Sequence, residues 1–111
     1  MGRALLVVGI DIDPDHEAEL NDWYGQHLAS RLQWPSFRSA RRYRAVAGGG
    51  PRYLAIYELD EPEAALSDDY LRQQPDARGA ELARYWELRV RCVYEEIPGE
   101  EPWVPRREPE A

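Results

Sequence analysis

His27 is the side chain best suited to move a proton. An imidazole titrates near neutral pH, so it both accepts and donates under working conditions. Leu20, Trp23, Tyr24, His27, Leu28 and Arg31 recur at steps of three and four, which puts the histidine on one helical face with two aromatic rings. Trp23 and Tyr24 are therefore expected at the wall of a pocket. Tyr43, Tyr53 and Tyr57 carry hydroxyls able to donate to a developing enolate or phenolate oxygen. Asp11 closes the first apolar stretch and is expected to orient His27 from behind, as outer-shell carboxylates do. Arg42, within a group that includes Arg38, Arg41, Arg44 and Arg52, has the planar fork that clamps a substrate carboxylate.

Each assignment has a structural competitor. The histidine can be held by a backbone carbonyl or a tyrosine hydroxyl, and the tyrosines can pack an interface with their hydroxyls at the rim. Asp11 can be a solvated strand end, and the arginines can pair with glutamates on a wet strand face. Asp13, His16 and Glu17 form an oxygen-rich group at a helix start, which is common without metal, so no metal site is expected. Gly48–Gly50 form a turn and lack the Lys-Ser/Thr of a phosphate loop. The single cysteine, Cys92, excludes an intramolecular disulfide and reads as a buried, inert thiol.

The elements that must position these groups follow from periodicity. Residues 4–12 (ALLVVGIDI) read as a strand. Asp13 then caps a helix that has Pro14 at its first position and runs to about residue 32. Residues 37–46 and 52–59 read as a hairpin joined by a Gly-rich turn. Two short helices are expected over 63–71 and 77–85, separated around Pro75, followed by a strand over 86–97. In that strand Trp86, Leu88, Val90, Cys92 and Tyr94 alternate with charged residues.

Residues 1–97 are thus one β-α-β-β-α-β domain, of the ferredoxin-like α+β class: a four-stranded antiparallel sheet with both helices on one face. Residues 98–111 are a Pro/Glu-rich tail, within which Trp103-Val104 looks made to dock on the body or on a second subunit. Leu5, Val7, Tyr53, Ala55 and Tyr57 are expected on the other face of the sheet. They are too apolar to leave in water, and a two-fold partner would cover them.

Composition narrows the partners. The chain has 111 residues and a net charge of 14 − 21 = −7, which argues against a nucleic-acid partner. No apolar run approaches the ~20 residues of a membrane span. The apolar-leaning start ends at Asp11, too soon for a signal peptide, so a cytoplasmic location is expected. Four Trp and seven Tyr against one Phe favour half-wet places such as interfaces and pocket walls.

The run from Asp11 to His27 (DIDPDHEAELNDWYGQH) resembles the first strand and helix of the EthD-like branch of the dimeric α+β barrel superfamily. Trp34-Pro-Ser-Phe37 is similar to that group's Pro-Gly-Phe turn, with Ser36 where the glycine usually stands. Ala40-Arg-Arg-Tyr43 and Pro51 to Leu59 are similar to its second and third strands. Gly25 and Gln26 stand where similar proteins usually carry acidic residues. The resemblance implies a homodimer with one cavity per subunit, faced by the helix histidine. In the superfamily such cavities host cofactor-independent isomerases, cyclases, decarboxylases and oxygenases, and a few haem enzymes.

Two functions are therefore expected, with haem binding through His27 as a third option. The first is a cofactor-independent enzyme that moves a proton on a small apolar or aromatic carbonyl, lactone or phenol. The second is a non-catalytic dimeric ligand-binding or accessory protein. An open pocket of at least ~300 Å³ around His27 would mark a ligand site. A cavity plugged by Trp23, Tyr53 and Tyr57 would mark a structural one.

Overall fold

A computed structural model describes residues 3–73 and 76–105. Strand β1 spans Ala4–Ile12, and the aliphatic, β-branched run that forms it lies at the centre of the sheet. Asp13 then turns the chain: its carboxylate accepts from the Asp15 N–H at 3.0 Å, and Pro14 opens a 3-10 turn over Pro14–His16. Helix α1 follows as Glu17–Arg31, with Glu17 and Glu19 in its first turn and Arg31 in its last, as the helix dipole favours. It buries Leu20, Trp23 and Tyr24. Ser36 takes a left-handed conformation, φ 71°, at the turn where a glycine would fit without strain.

Strands β2 (Phe37–Arg44) and β3 (Tyr53–Leu59) form the hairpin. Helices α2 (Asp68–Leu71) and α3 (Ala77–Leu82) are short, and 3-10 turns at Pro62–Ala65 and Ala83–Tyr85 extend the helical stretches around them. Ser67 caps α2, and Asp76 caps α3. The expected break at Pro75 falls outside the described residues. Strand β4, Trp86–Glu95, pairs with β1 and leaves the order β2-β3-β1-β4, antiparallel throughout. The architecture is the ferredoxin-like α+β arrangement. Among the described residues no helix is long and apolar enough to cross a membrane.

The core lies between the sheet and the helices. Ala4, Leu6 and Ile10 of β1 meet Leu59, Tyr57 and Tyr53 of β3 in register, and Leu20, Trp23 and Tyr24 of α1 cover them. This corrects one expectation. Tyr53, Ala55 and Tyr57 lie under the helices, at most 5% exposed, and the other face of β3 belongs to Leu54 and Ile56. Alternation alone separates the two sets, but both are apolar, so it cannot say which set meets the helices.

A second correction concerns β4. The register slips between Gly9 and Ile10: Gly9 pairs with Val90, and Ile10 with Leu88. Arg89 is the extra residue of this bulge, and it reverses the alternation beyond it. Trp86 and Leu88 share the helix side with Ile12 and Ile10. Beyond the bulge Arg91 and Val93 take that side, paired with Val8 and Leu6, while Val90, Cys92 and Tyr94 move to the open face. Leu5, Val7, Leu54, Ile56, Val90 and Cys92 thus make an apolar layer that no helix among the described residues covers. Beyond β4, residues up to 105 form no helix or strand, and Trp103 is 92% exposed.

Candidate active site

A cavity of about 240 Å³ opens between the sheet and α1, smaller than the ~300 Å³ expected of a ligand site around His27. Its floor is Leu6 and Val8 of β1, Tyr57 of β3 and Arg91 of β4. Tyr24, His27 and Arg31, one helical turn apart along α1, form one wall, and Tyr70 and Leu71 of α2 with Gln73 form another. The spacing read from the sequence puts the three α1 residues on this face. The bulge in β4 adds Arg91.

His27 is fixed by rings. Trp23 stacks on it with centroids 4.4 Å apart, and Tyr24 meets it edge-on at 5.3 Å. Burial, reinforced by the Arg31 charge, lowers its pKa to about 4, against the opposing pull of Asp76. The imidazole is therefore neutral at pH 7. No hydrogen bond to its ring is made among the described residues. Asp76, which bears on it electrostatically, is committed elsewhere: it accepts from Trp23 Nε1 at 3.1 Å and from the Gly79 N–H at 2.6 Å.

Burial raises the pKa of the Tyr24, Tyr57 and Tyr70 hydroxyls. All three stay protonated and able to donate. Tyr70 lies against Phe37 and Trp34, with centroids 5.1 and 5.3 Å away, and the Arg31 guanidinium sits 5.6 Å from its ring centroid. The cavity thus holds a neutral base, three phenol donors and two guanidinium groups on an aliphatic floor. Among the described residues no carboxylate lines it.

No family model matches the chain, and no curated protein is significantly similar to it in sequence. Solved structures are similar in fold. Rv0793 from Mycobacterium tuberculosis is 16% identical with a TM-score of 0.57, over 89% of this chain and 97% of that one. A provisionally assigned monooxygenase from Shewanella loihica PV-4 is 12% identical with a TM-score of 0.57, over 86% of this chain and 95% of that one. An EthD-family protein from Bacillus halodurans C-125 is 15% identical with a TM-score of 0.51, over 87% of this chain and 100% of that one. The chain shares its fold with these structures, the EthD-family protein among them. Its resemblance to the EthD-like branch holds at the level of that fold.

The residues singled out by sequence divide into two groups. His27, Tyr24 and Tyr57 line the cavity, and Trp23 backs it by stacking on His27. Asp11, Tyr43, Arg42 and Tyr53 do not line it. Asp11 faces the open side of the sheet. It accepts from the Arg52 N–H at 2.8 Å and binds Arg89, which ties the hairpin to the bulge and lowers the Asp11 pKa. Tyr43 is on the open face of β2, opposite Leu54 and 48% exposed. The Arg42 guanidinium lies under α1 between two rings, 4.3 Å from the Tyr24 centroid and 4.9 Å from that of Tyr53.

Three cavity residues were not singled out by sequence. Arg31 was legible on the helix face but carried no role. Tyr70 offered no signal beyond its type. Arg91 was hidden by the bulge, because a strict two-residue alternation points it away from the helices.

Proposed function

We propose that this chain is a homodimeric enzyme that moves a proton on a small aromatic or apolar molecule bearing a carbonyl, lactone or phenol, with His27 as the base. The observation that carries this reading is one cavity that holds a neutral imidazole beside three protonated tyrosine hydroxyls. A neutral imidazole takes the proton from the carbon or oxygen next to the substrate's carbonyl. A hydroxyl of Tyr24, Tyr57 or Tyr70 donates to the oxygen where negative charge develops, and return of the proton at a second position completes an isomerisation. Positioned acid–base groups of this kind contribute ~10²–10⁴-fold. An imidazole whose conjugate acid has a pKa of about 4 is a weak base, so the reading favours an acidified proton.

The dimer belongs to the same reading. Leu54, Ile56, Val7 and Val90 form an uncovered apolar layer, and a second copy stacking its own sheet there would remove it from water. The cytoplasm suits the lone, half-buried Cys92, which has no partner for a disulfide within the chain.

The test is exchange of the α-protons of 2-tetralone, an uncharged ketone, in D2O by proton NMR. The wild type should speed exchange over buffer, and His27→Ala should lose about 100-fold or more of that acceleration while keeping its circular dichroism. Equal exchange by the two proteins would end the catalytic assignment. A second reading, a ligand carrier without chemistry, draws on the missing orienting partner for His27. It expects ligand-induced stabilisation with no exchange above buffer.

A further inference from the structure

The chain's charge is −7, yet among the described residues the cavity that holds His27 is lined by two arginines and no carboxylate. Several arginines outside it find acidic partners, Arg38 with Asp60, Arg52 with Glu17, Arg78 with Asp22 and Arg89 with Asp11, whereas Arg41, Arg42 and Arg44 pair with none among the described residues. Arg31 and Arg91 pair with no carboxylate among the described residues. Arg31 is half-buried and Arg91 exposed, and Arg91 takes the cavity side of β4 because the bulge at Arg89 reverses the alternation. For the half-buried Arg31 a bound anion would supply the partner that the chain does not.

Tyr24, Tyr57 and Tyr70 present rings, and Leu6 and Val8 present aliphatic surface. A volume of about 240 Å³ exceeds the ~150 Å³ that accommodates benzene in a protein interior. It falls short of the ~300 Å³ at which drug-sized sites begin. One ring, or two fused rings, with one small polar group is what fits.

We propose that the cavity takes an aromatic carboxylate of one or two rings, its carboxylate held between Arg31 and Arg91 and its ring against the tyrosines. The proposal rests on the proton-transfer reading for its chemistry but not for its binding. A guanidinium presents parallel N–H donors that match a carboxylate's two oxygens, so the preference is for a planar anion over a neutral polar group of the same shape. The anion would also neutralise the Arg31 charge that bears on His27, leaving the imidazole a stronger base when substrate is bound than when it is absent.

The experiment compares 2-naphthoate with 2-naphthamide, an uncharged molecule of the same shape, by isothermal titration on the full chain. The variants are Arg31→Gln, Arg91→Gln and the double variant. Arg72→Gln, whose arginine pairs with Asp69 outside the cavity, is the control. The wild type should bind 2-naphthoate about 10-fold or more tighter than the amide. The double variant should lose that preference while amide affinity stays within about twofold, and Arg72→Gln should keep it. Equal affinity for the two probes, a preference that survives the double variant, or no binding of either at millimolar concentration overturns the proposal. Exchange into 2-tetralone reports on proton transfer separately. Exchange without a charge preference rejects only the ligand class, and a charge preference without exchange rejects only the chemistry.

Discussion

Trp23 and His27 stack with ring centroids 4.4 Å apart and planes 23° from parallel. The same indole donates from Nε1 to Asp76, the N-cap of α3, and its six-membered ring lies against Gly79. The catalytic candidate is thus held in place by a tryptophan that is itself held by a helix cap. Trp23 is only 3% exposed and has nowhere to retreat.

Gly79 tests that arrangement. A Cβ at this position would sit 2.7 Å from Trp23 Cζ2. Alanine gains roughly 1 kcal/mol of helix propensity over glycine. Overpacking against an immobile ring costs about 1–3 kcal/mol. The clash should win, so Gly79→Ala should be less stable by about 1 kcal/mol in urea denaturation. It should also shift the His27 ring resonances. A variant as stable as the wild type, with those resonances unmoved, would show that the ring is not confined.

The neutral state of His27 makes stability depend on pH. Its folded pKa of about 4 lies below the ordinary 6.5 because burial, then Arg31, disfavour the charged form. Above 6.5 both folded and unfolded chains are neutral at this site, and the contribution is fully present. As the pH falls from 6.5 toward 4 the unfolded chain binds a proton that the folded chain refuses, and stability is lost; below 4 this group takes no more. With allowance for partial exposure, the loss is on the order of 2 kcal/mol. Urea denaturation at about pH 7 and about pH 4.5 should show His27→Gln losing less stability than the wild type by that amount. Equal losses would place the imidazole in water.

The fold was legible in the sequence because its signals are local. The capped start at Asp13-Pro14, the stripe from Leu20 to Arg31 and the Gly-rich hairpin turn each specify one element. The faces were less legible, for two different reasons. Strand β3 is apolar on both sides, so Tyr53 and Tyr57 can be told from Leu54 and Ile56 only by what packs on them. Strand β4 breaks its own period at Arg89, and no residue type marks the break. The half of the site that lies on α1 could therefore be read, while Arg91 on the far side of the bulge and Tyr70 on a short helix could not.

The uncovered sheet face bears on the oligomer. Ile56 lies near its centre, paired with Val7 on one side and Arg41 on the other. A lysine there would put a charge in the middle of an apolar contact and leave the monomer's core untouched, since Ile56 points away from the helices. Sedimentation should move from twice the chain mass to the single-chain 12.9 kDa in Ile56→Lys, with helical content retained. A wild type that already sediments at 12.9 kDa would remove the dimer from the proposed function.

Arg42 poses the question of what a buried cation contributes here. Its guanidinium lies between the faces of Tyr24 and Tyr53, and its Nε and Nη2 are buried with no hydrogen-bond partner. Cation–π contacts are worth about 0.5–2 kcal/mol each. Withdrawing an ion from water costs several kcal/mol, and two unmatched N–H donors add to that. The two sides nearly cancel, so what Arg42 mainly supplies is volume between two rings. Methionine fills a similar space, and its sulfur makes favourable contacts with aromatic rings of about 0.3–1.5 kcal/mol. Arg42→Met should therefore match or exceed the wild type in stability. Arg42→Ala, which leaves the gap open, should lose about 2 kcal/mol. If the methionine variant falls as far as the alanine variant, the charge itself is stabilising, and the balance struck here between aromatic contact and desolvation is wrong.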